Sequence, residues 1–279
     1  MANIVRSPIW PDPRVQPPFG AAEANYQHTL ARGLNFAVLV HGTPKLQTIF
    51  RGQRRTTLIN AVATGNPVLS GTRFGSRALR SPDTSTYWDC GVDGTHLTLP
   101  TTAVTVAVIR RKLDTTARAS ALFGTASAGA TTRLGTHCPW SDGVVYWDFG
   151  GTSGANRISY TWAATTTVER FVFVAGTRGS AIYLDGISKA SQATGITRSS
   201  ASEQFFLNAG QGSVSSRQDI VEYVAFFLFD AEWTQDQARQ WTAEPYCFLQ
   251  PIIRRRYFVP AAGGATWPGW FHSRGGWTA

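Results

Sequence analysis

The sequence predicts an all-β fold, a sandwich or jelly roll of antiparallel strands with one short C-terminal helix and extended terminal arms. Three observations carry that expectation. Short apolar or alternating runs, bounded by Gly, Asn and Asp, recur through the middle of the 279-residue chain, as strands separated by turns require. Asp185-Gly186 stands between two such runs, and an Asp-Gly turn matches the twist of a two-residue hairpin. Helix-start chemistry is found at Thr234, before a short polar stretch.

Taken in order, the chain opens with SPIWPDPRVQPPF, which brings Pro8, Pro11, Pro13, Pro17 and Pro18. Proline fixes φ and removes a donor, so residues 1–27 read as an extended arm. GLNFAVLVHG (33–42) is an apolar, β-branched run between glycines, a buried strand. Residues 51–80 are glycine-rich and basic and read as loops, with a short strand at 56–63. STYWDCGVDGTHLTL offers two short strands around Val92-Asp93-Gly94. TAVTVAVIRRK (102–112) alternates small polar and β-branched residues with period two, as a half-buried strand does. VVYWDFG, RISYTW and ERFVFVAG continue the series, and SAIYLDGISKA (180–190) is the hairpin. QFFLNAG and DIVEYVAFFLF complete about ten to twelve strands.

Thr234 followed by Gln237 is a capping box, in which each side chain satisfies a free backbone N–H. Trp233 and Ala238 are placed for a hydrophobic staple, and Trp241 lies a turn further on. Pro245 ends the helix near Ala243. So short a helix is unstable alone. It must lie on an apolar surface, the sandwich edge or the chain's own termini.

Composition narrows the function. Ten Trp and sixteen Phe exclude a disordered chain. The N-terminus has no basic-then-apolar leader, and no apolar run approaches a bilayer span. A soluble product made in a cytoplasm, with no membrane partner, is expected. Cys90, Cys138 and Cys247 are scattered, as are His28, His41, His96, His137 and His272. That argues against a disulfide framework or a zinc site, and no metal or cofactor is expected. In THCPW, adjacent residues of a strand point apart, which makes Cys138 a buried thiol and His137 a surface imidazole. The net charge of +9 is uneven: residues 25–82 hold eight Lys/Arg and 245–279 hold four, with no acid in either stretch. Such stretches suit a nucleic-acid groove or an arm docked on an acidic protein surface. Single-stranded binders interleave aromatic and basic residues on a sheet face. The central strands do not, so no nucleic-acid partner is expected.

Four phrases, in this order, carry a family resemblance: HTLARGLNFAVLVHG (28–42), ERFVFVAGTRGSAIYLDGISKAS, DIVEYVAFFLFDAEWTQDQARQWTAEPY and EPYCFLQP. Together they resemble the concanavalin A-like, laminin-G-like jelly-roll domains of bacteriophage structural proteins. The first looks like the opening strand, the second like the hallmark hairpin, the third like the closing strand and helix, and the last like a common ending. Phe171 stands where the family often has Trp. The resemblance covers 28–251 and implies a β-sandwich flanked by the arm 1–27 and a basic, aromatic tail 252–279. It also implies a virion protein synthesised in the bacterial host cytoplasm: a capsid-decoration, head-fibre or tail-associated subunit.

Jelly-roll relatives that hydrolyse glucans carry Glu-x-Asp-x-x-Glu on one strand, so that acid and nucleophile share a face. None of the six Glu here is followed two places later by Asp. Asp230 and Glu232 are two apart, beside the helix cap that explains them. GTASAG and GGTSGA lack the nucleophile-elbow register. No enzyme is expected. Two function classes remain: the expected one is a virion structural protein with weak host-glycan adhesion, and the alternative is a carbohydrate-binding module. A virion structural protein, homo-oligomeric and docked on other capsid or tail proteins, would use its tail: Trp267, Trp270, Phe271 and Trp277 as aromatic anchors, and Arg254, Arg255 and Arg256 toward carboxylates. A carbohydrate-binding module recognising a bacterial surface glycan would stack sugars on tryptophans in or near loops, beside acids: Trp88 with Asp89, Trp140 with Asp142, Trp147 with Asp148.

Overall fold

The computed structural model describes residues 22–40, 46–50, 53–55, 68–71, 77–90, 97–127, 129–199, 202–210 and 217–251. The strand expected at 56–63, most of the arm 1–27 and the whole tail 252–279 lie outside them.

The protein is an all-β sandwich with a single short α-helix among the described residues. One sheet has ten antiparallel strands. Its order runs Ile187–Gln192, Gly179–Leu184, Val168–Gly176, Ala103–Lys112, Val221–Phe229, Leu34–Val40, Leu46–Phe50 and Gln53–Arg55. Arg77–Ser81 pairs with the first part of Val221–Phe229, and Val68–Gly71 pairs with Arg77–Ser81. On one edge Val221–Phe229 pairs first with Arg77–Ser81, through Val221–Tyr223, and then with Leu34–Val40, from Ala225 on; on its other edge the register against Ala103–Lys112 shifts between Tyr223 and Ala225. The other sheet has six strands: Arg157–Thr161, Val144–Phe149, Leu134–His137, Phe123–Thr125, Phe205–Leu207 and Trp88–Asp89.

Between the sheets lies a core rich in aromatic side chains. Phe123 is its hub, with ring centroids of Trp147, Phe173, Phe205 and Phe226 at 5.9, 5.6, 5.9 and 5.5 Å. Alternation brings Val104, Val106 and Val108 inward from the large sheet, and Val145, Trp147 and Phe149 inward from the small one.

The 103–112 strand departs from the half-buried expectation. Its other face is buried too, with Thr105 and Ala107 fully covered and Ile109 nearly so. The cover is a third layer on the outside of the large sheet: Leu30, Ala31, Trp233, Ala238, Trp241, Tyr246 and Phe248 pack over Ala107, Val172, Val174, Phe227 and Phe229. The helix belongs to this layer. It spans Gln235–Ala243, with the Thr234–Gln237 capping box formed. Rather than sitting on a sandwich edge, it lies across the sheet, with Trp241 edge-on to Phe227 at 6.3 Å. The turn of the 180–190 hairpin docks against it. Asp185 and Gly186 both take positive φ (51° and 77°), as a primed turn demands. A Cβ at Gly186 would meet Arg239 at 3.4 Å.

Other differences are short-range. Among the described residues there are twenty strand segments, more than alternation reveals, because pieces such as Ala22–Ala24 and Phe123–Thr125 span only three residues. Trp88–Asp89 and Leu97–Thr98 are both strands but not a pair; they join Phe205–Leu207 and Ser202–Glu203 respectively. Ala22–Ala24, within the stretch read as arm, pairs with Leu249–Pro251 at the opposite end of the chain.

If the helix covers the sheet, Trp241→Ala should cost about 3–5 kcal/mol by equilibrium denaturation, and Thr234→Ala about 1 kcal/mol through the lost cap alone. Equal, small losses for both would show that the helix is an ornament on a complete sandwich.

Candidate functional site

The outer face of the six-stranded sheet is polar and is open at one end. Because Val145, Trp147 and Phe149 point inward, Tyr146 and Asp148 point out, and register places His137 beside Tyr146 and Arg157 beside Asp148. At the other end the face is closed. Gly210 (φ 129°) lies so close over Gly124 that a Cβ would fall 2.7 Å from its Cα. There Asn208 clamps the chain, donating to the carbonyls of Thr86 (2.8 Å) and Asp219 (2.9 Å) and accepting from the Asp219 N–H (3.0 Å). That clamp, with the bond from the Ala121 N–H to the Arg217 carbonyl, holds Arg217 at the border of the open end.

Across the open end runs a row of flat side chains. The Arg217 guanidinium lies 4.7 Å from the Trp140 ring centroid. Trp140 meets His137 at 4.3 Å, and His137 meets Tyr146 at 6.3 Å. Arg157 lies over Tyr146 at 4.6 Å. Arg157 donates to both Asp148 carboxylate oxygens, at 2.6 and 2.7 Å, and Arg133 approaches the same carboxylate at 3.4 Å. A tight turn shapes the rim: the Trp140 N–H donates to the Val144 carbonyl at 2.8 Å, with Gly143 at φ 77°. Asp142 accepts from the Val144 N–H (2.9 Å) and the Tyr146 hydroxyl (2.7 Å). The bond to Asp142 raises the Tyr146 pKa.

His137 corrects the expected surface imidazole: only 4% is exposed, beneath Trp140 and Tyr146. Its Nδ1–H donates to the Ser120 carbonyl at 3.0 Å. Burial pulls its pKa down to about 3; the Ser120 bond opposes this, while Arg217, Arg157 and Arg133 add to it. It is a neutral spacer between two aromatic rings, unfit as a general acid at neutral pH. The Cys138 thiol is buried as expected, and burial pushes it up to about 12 against the pull of Arg110, so it carries no thiolate nucleophile. No group of His, Cys, Asp and Glu among the described residues is arranged to hold a metal ion.

Of the three candidate tryptophans, Trp88 and Trp147 are sealed in the inter-sheet core and offer no face to a sugar. The reason is register: both sit at inward positions of their strands, and Trp147 Nε1 donates to the Val174 carbonyl across the core at 2.9 Å. Trp140, in the turn, stays at the surface. Asp230 and Glu232 hold the approach to the helix: Asp230 accepts from Asn35 Nδ2 at 2.9 Å, and Glu232 accepts from the Arg178 N–H at 3.0 Å. Arg254, Arg255, Arg256, Trp267, Trp270, Phe271 and Trp277 lie outside the described residues. Sequence reading missed Arg157, Arg217, Tyr146 and Arg133. Aromatic and basic residues do interleave on this face, but they come from separate strands and a distant loop, so no local run announces them.

No family model matches this sequence, and no curated protein matches it. Solved structures do match in fold. They include the Trypanosoma rangeli sialidase in complex with sialic acid (TM-score 0.50, 10% identity, 76% of this chain and 33% of that one). The binding domain of botulinum neurotoxin DC matches in its complex with rat synaptotagmin II (TM-score 0.50, 10% identity, 75% and 51%) and with SialylT (TM-score 0.50, 10% identity, 77% and 52%). The chain thus spans about a third to a half of the length of these proteins. At such identity the likeness is one of fold, a jelly-roll β-sandwich.

The depressed His137 pKa has a consequence for stability. Above pH 6.5, the ordinary imidazole value, its contribution is fully present. As pH falls toward 3 the unfolded chain takes up a proton that the folded one refuses, and up to about 1.4 kcal/mol is lost per pH unit. Urea midpoints of His137→Asn should therefore fall less steeply than those of the parent between pH 6.5 and 4.5. Parallel curves would mean that the folded imidazole titrates freely.

Proposed function

We propose that this protein is a non-catalytic carbohydrate-binding sandwich that recognises a bacterial surface polysaccharide on the open end of its six-stranded sheet. One observation carries the reading: the row Arg217–Trp140–His137–Tyr146–Arg157, aromatic faces alternating with fixed polar groups on an otherwise polar surface. Sugar rings bind by stacking on such faces while flanking donors and acceptors fix their hydroxyls. Support also comes from the fold neighbours, one solved with sialic acid and another with SialylT. Binding fits better than hydrolysis, because the two carboxylates of the row are already engaged, Asp148 by two arginines and Asp142 by Tyr146.

A second reading is favoured by a different observation. The ladder between Ala22–Ala24 and Leu249–Pro251, with Ala22 opposite Pro251, joins the proline-rich arm and the aromatic, basic tail to the sandwich at one place. That arrangement suits a bacteriophage virion subunit, made in the host cytoplasm, docked in homo-oligomeric copies on capsid or tail proteins through Arg254, Arg255, Arg256, Trp267, Trp270, Phe271 and Trp277. The two readings are compatible, the sandwich serving as the adhesive part and the arms as its mount.

On an array of bacterial surface glycans, Trp140→Ala should abolish binding while leaving the melting temperature within a few degrees of the parent. Retained binding by this variant would remove the row as the site. For the mount, a chain lacking 252–279 should keep its thermal transition yet be missing from purified particles by mass spectrometry. Its normal incorporation would count against the tail.

A further inference from the structure

The charge of the row is unbalanced in a way that bears on what kind of sugar it takes. Arg157 and Arg133 share the Asp148 carboxylate, and that carboxylate is fully buried. Arg217 has no carboxylate partner among the described residues. Its guanidinium lies over the Trp140 ring, 4.7 Å from the centroid. Burial lowers its pKa, and nearby Arg133 lowers it further, so the group sits in a field that an added anion would relieve. Its backbone is held by the Ala121 bond, and two residues on is the Asn208 clamp, so this cation is pre-positioned at the border of an aromatic strip.

We propose that the row is specific for acidic saccharides, with Arg217 receiving the carboxylate of a uronic- or sialic-acid-type residue whose ring lies along Trp140 and Tyr146. This rests on the carbohydrate-binding reading above and narrows its ligand to one chemical class. A guanidinium presents a planar fork that matches a carboxylate with two parallel N–H bonds. Arg157 is already locked on Asp148 by both carboxylate oxygens. That leaves Arg217 as the cation with donors to spare. A carboxylated sugar suits the strip better than a phosphodiester chain, because a pyranose presents an apolar ring face and its carboxylate as one rigid unit.

The test uses the full chain on an array of paired oligosaccharides, each uronic- or sialic-acid member printed beside its carboxyl-reduced counterpart, with a single-stranded DNA oligomer as a further probe. Calorimetry would follow on the best pair. The acidic member should bind about tenfold more tightly than its reduced partner, the worth of one charge-assisted contact. Arg217→Gln should erase that difference and leave the weaker, common affinity, with an unchanged melting temperature. Equal binding of both partners, or an acid preference that survives Arg217→Gln, would overturn the acidic specificity and leave the carbohydrate-binding reading standing. Tighter binding of the DNA oligomer than of any saccharide would overturn both in favour of a phosphate-binding surface. Silence across the whole array would remove both as well.

Discussion

Every residue of the Val221–Phe229 strand is buried, and most of the architecture follows from that. Tyr223, Phe226 and Leu228 face the small sheet, while Ala225, Phe227 and Phe229 face the other way. A simple two-layer sandwich would leave Phe227 and Phe229 in water, at about 1.5–3 kcal/mol each. The chain supplies a third layer instead. Phe248 meets Phe227 at 5.2 Å, and Trp233 meets Phe229 at 4.4 Å. Thr105, a buried hydroxyl on the neighbouring strand, fixes the approach to the helix: it donates to the Ala231 carbonyl at 2.7 Å and accepts from the Trp233 N–H at 3.0 Å. The helix and its neighbours cover the apolar part of the strand's outer face.

The same alternation that sends Val104, Val106 and Val108 into the inter-sheet core sends Arg110 and Lys112 after them. Charges there must be paired, since an unpaired buried ion costs several kcal/mol. Arg110 meets Glu169 at 2.9 Å, Trp162 Nε1 donates to the same carboxylate at 2.8 Å, and Lys112 pairs with Asp219. These pairs reach toward the surface site. Arg110 also donates to the Cys138 carbonyl, and Ser120, whose hydroxyl bonds the Pro139 carbonyl at 3.0 Å, gives its own carbonyl to His137. The backbone that carries His137 and Trp140 is therefore pinned from beneath by the ionic end of the core. The row thereby gains the rigidity of the interior.

Long elements were legible from the residues, because they follow rules that act within a few positions. The strand Leu34–Val40, the Asp185-Gly186 hairpin and the Thr234 capping box each needed only their own neighbours, and the helix ends at Ala243, two residues before Pro245. What stayed hidden depended on the other side of a sheet. Thr105 looked solvent-facing because a hydroxyl alternates with valines, yet its partners are 126 and 128 positions away. Trp88 and Trp147 looked like loop tryptophans because Asp follows each one, but that alternation is itself the mark of an inward ring beside an outward acid. Of the three tryptophans, Trp140 alone sits in a turn, where strand alternation does not bind it. The arginines of the row had no signal in the sequence, since Arg133, Arg157 and Arg217 come together only through register and the Asn208 clamp.

The ring row and the terminal ladder lie on opposite sides of the sandwich. The ring row is on the outer face of the six-stranded sheet, and the ladder from which both chain ends depart belongs to the layer outside the ten-stranded sheet. Two stacked sheets and their core, each sheet about 10 Å from the next, stand between them. On the two readings proposed above, a partner held at this ladder would lie on the far side of the sandwich from the row.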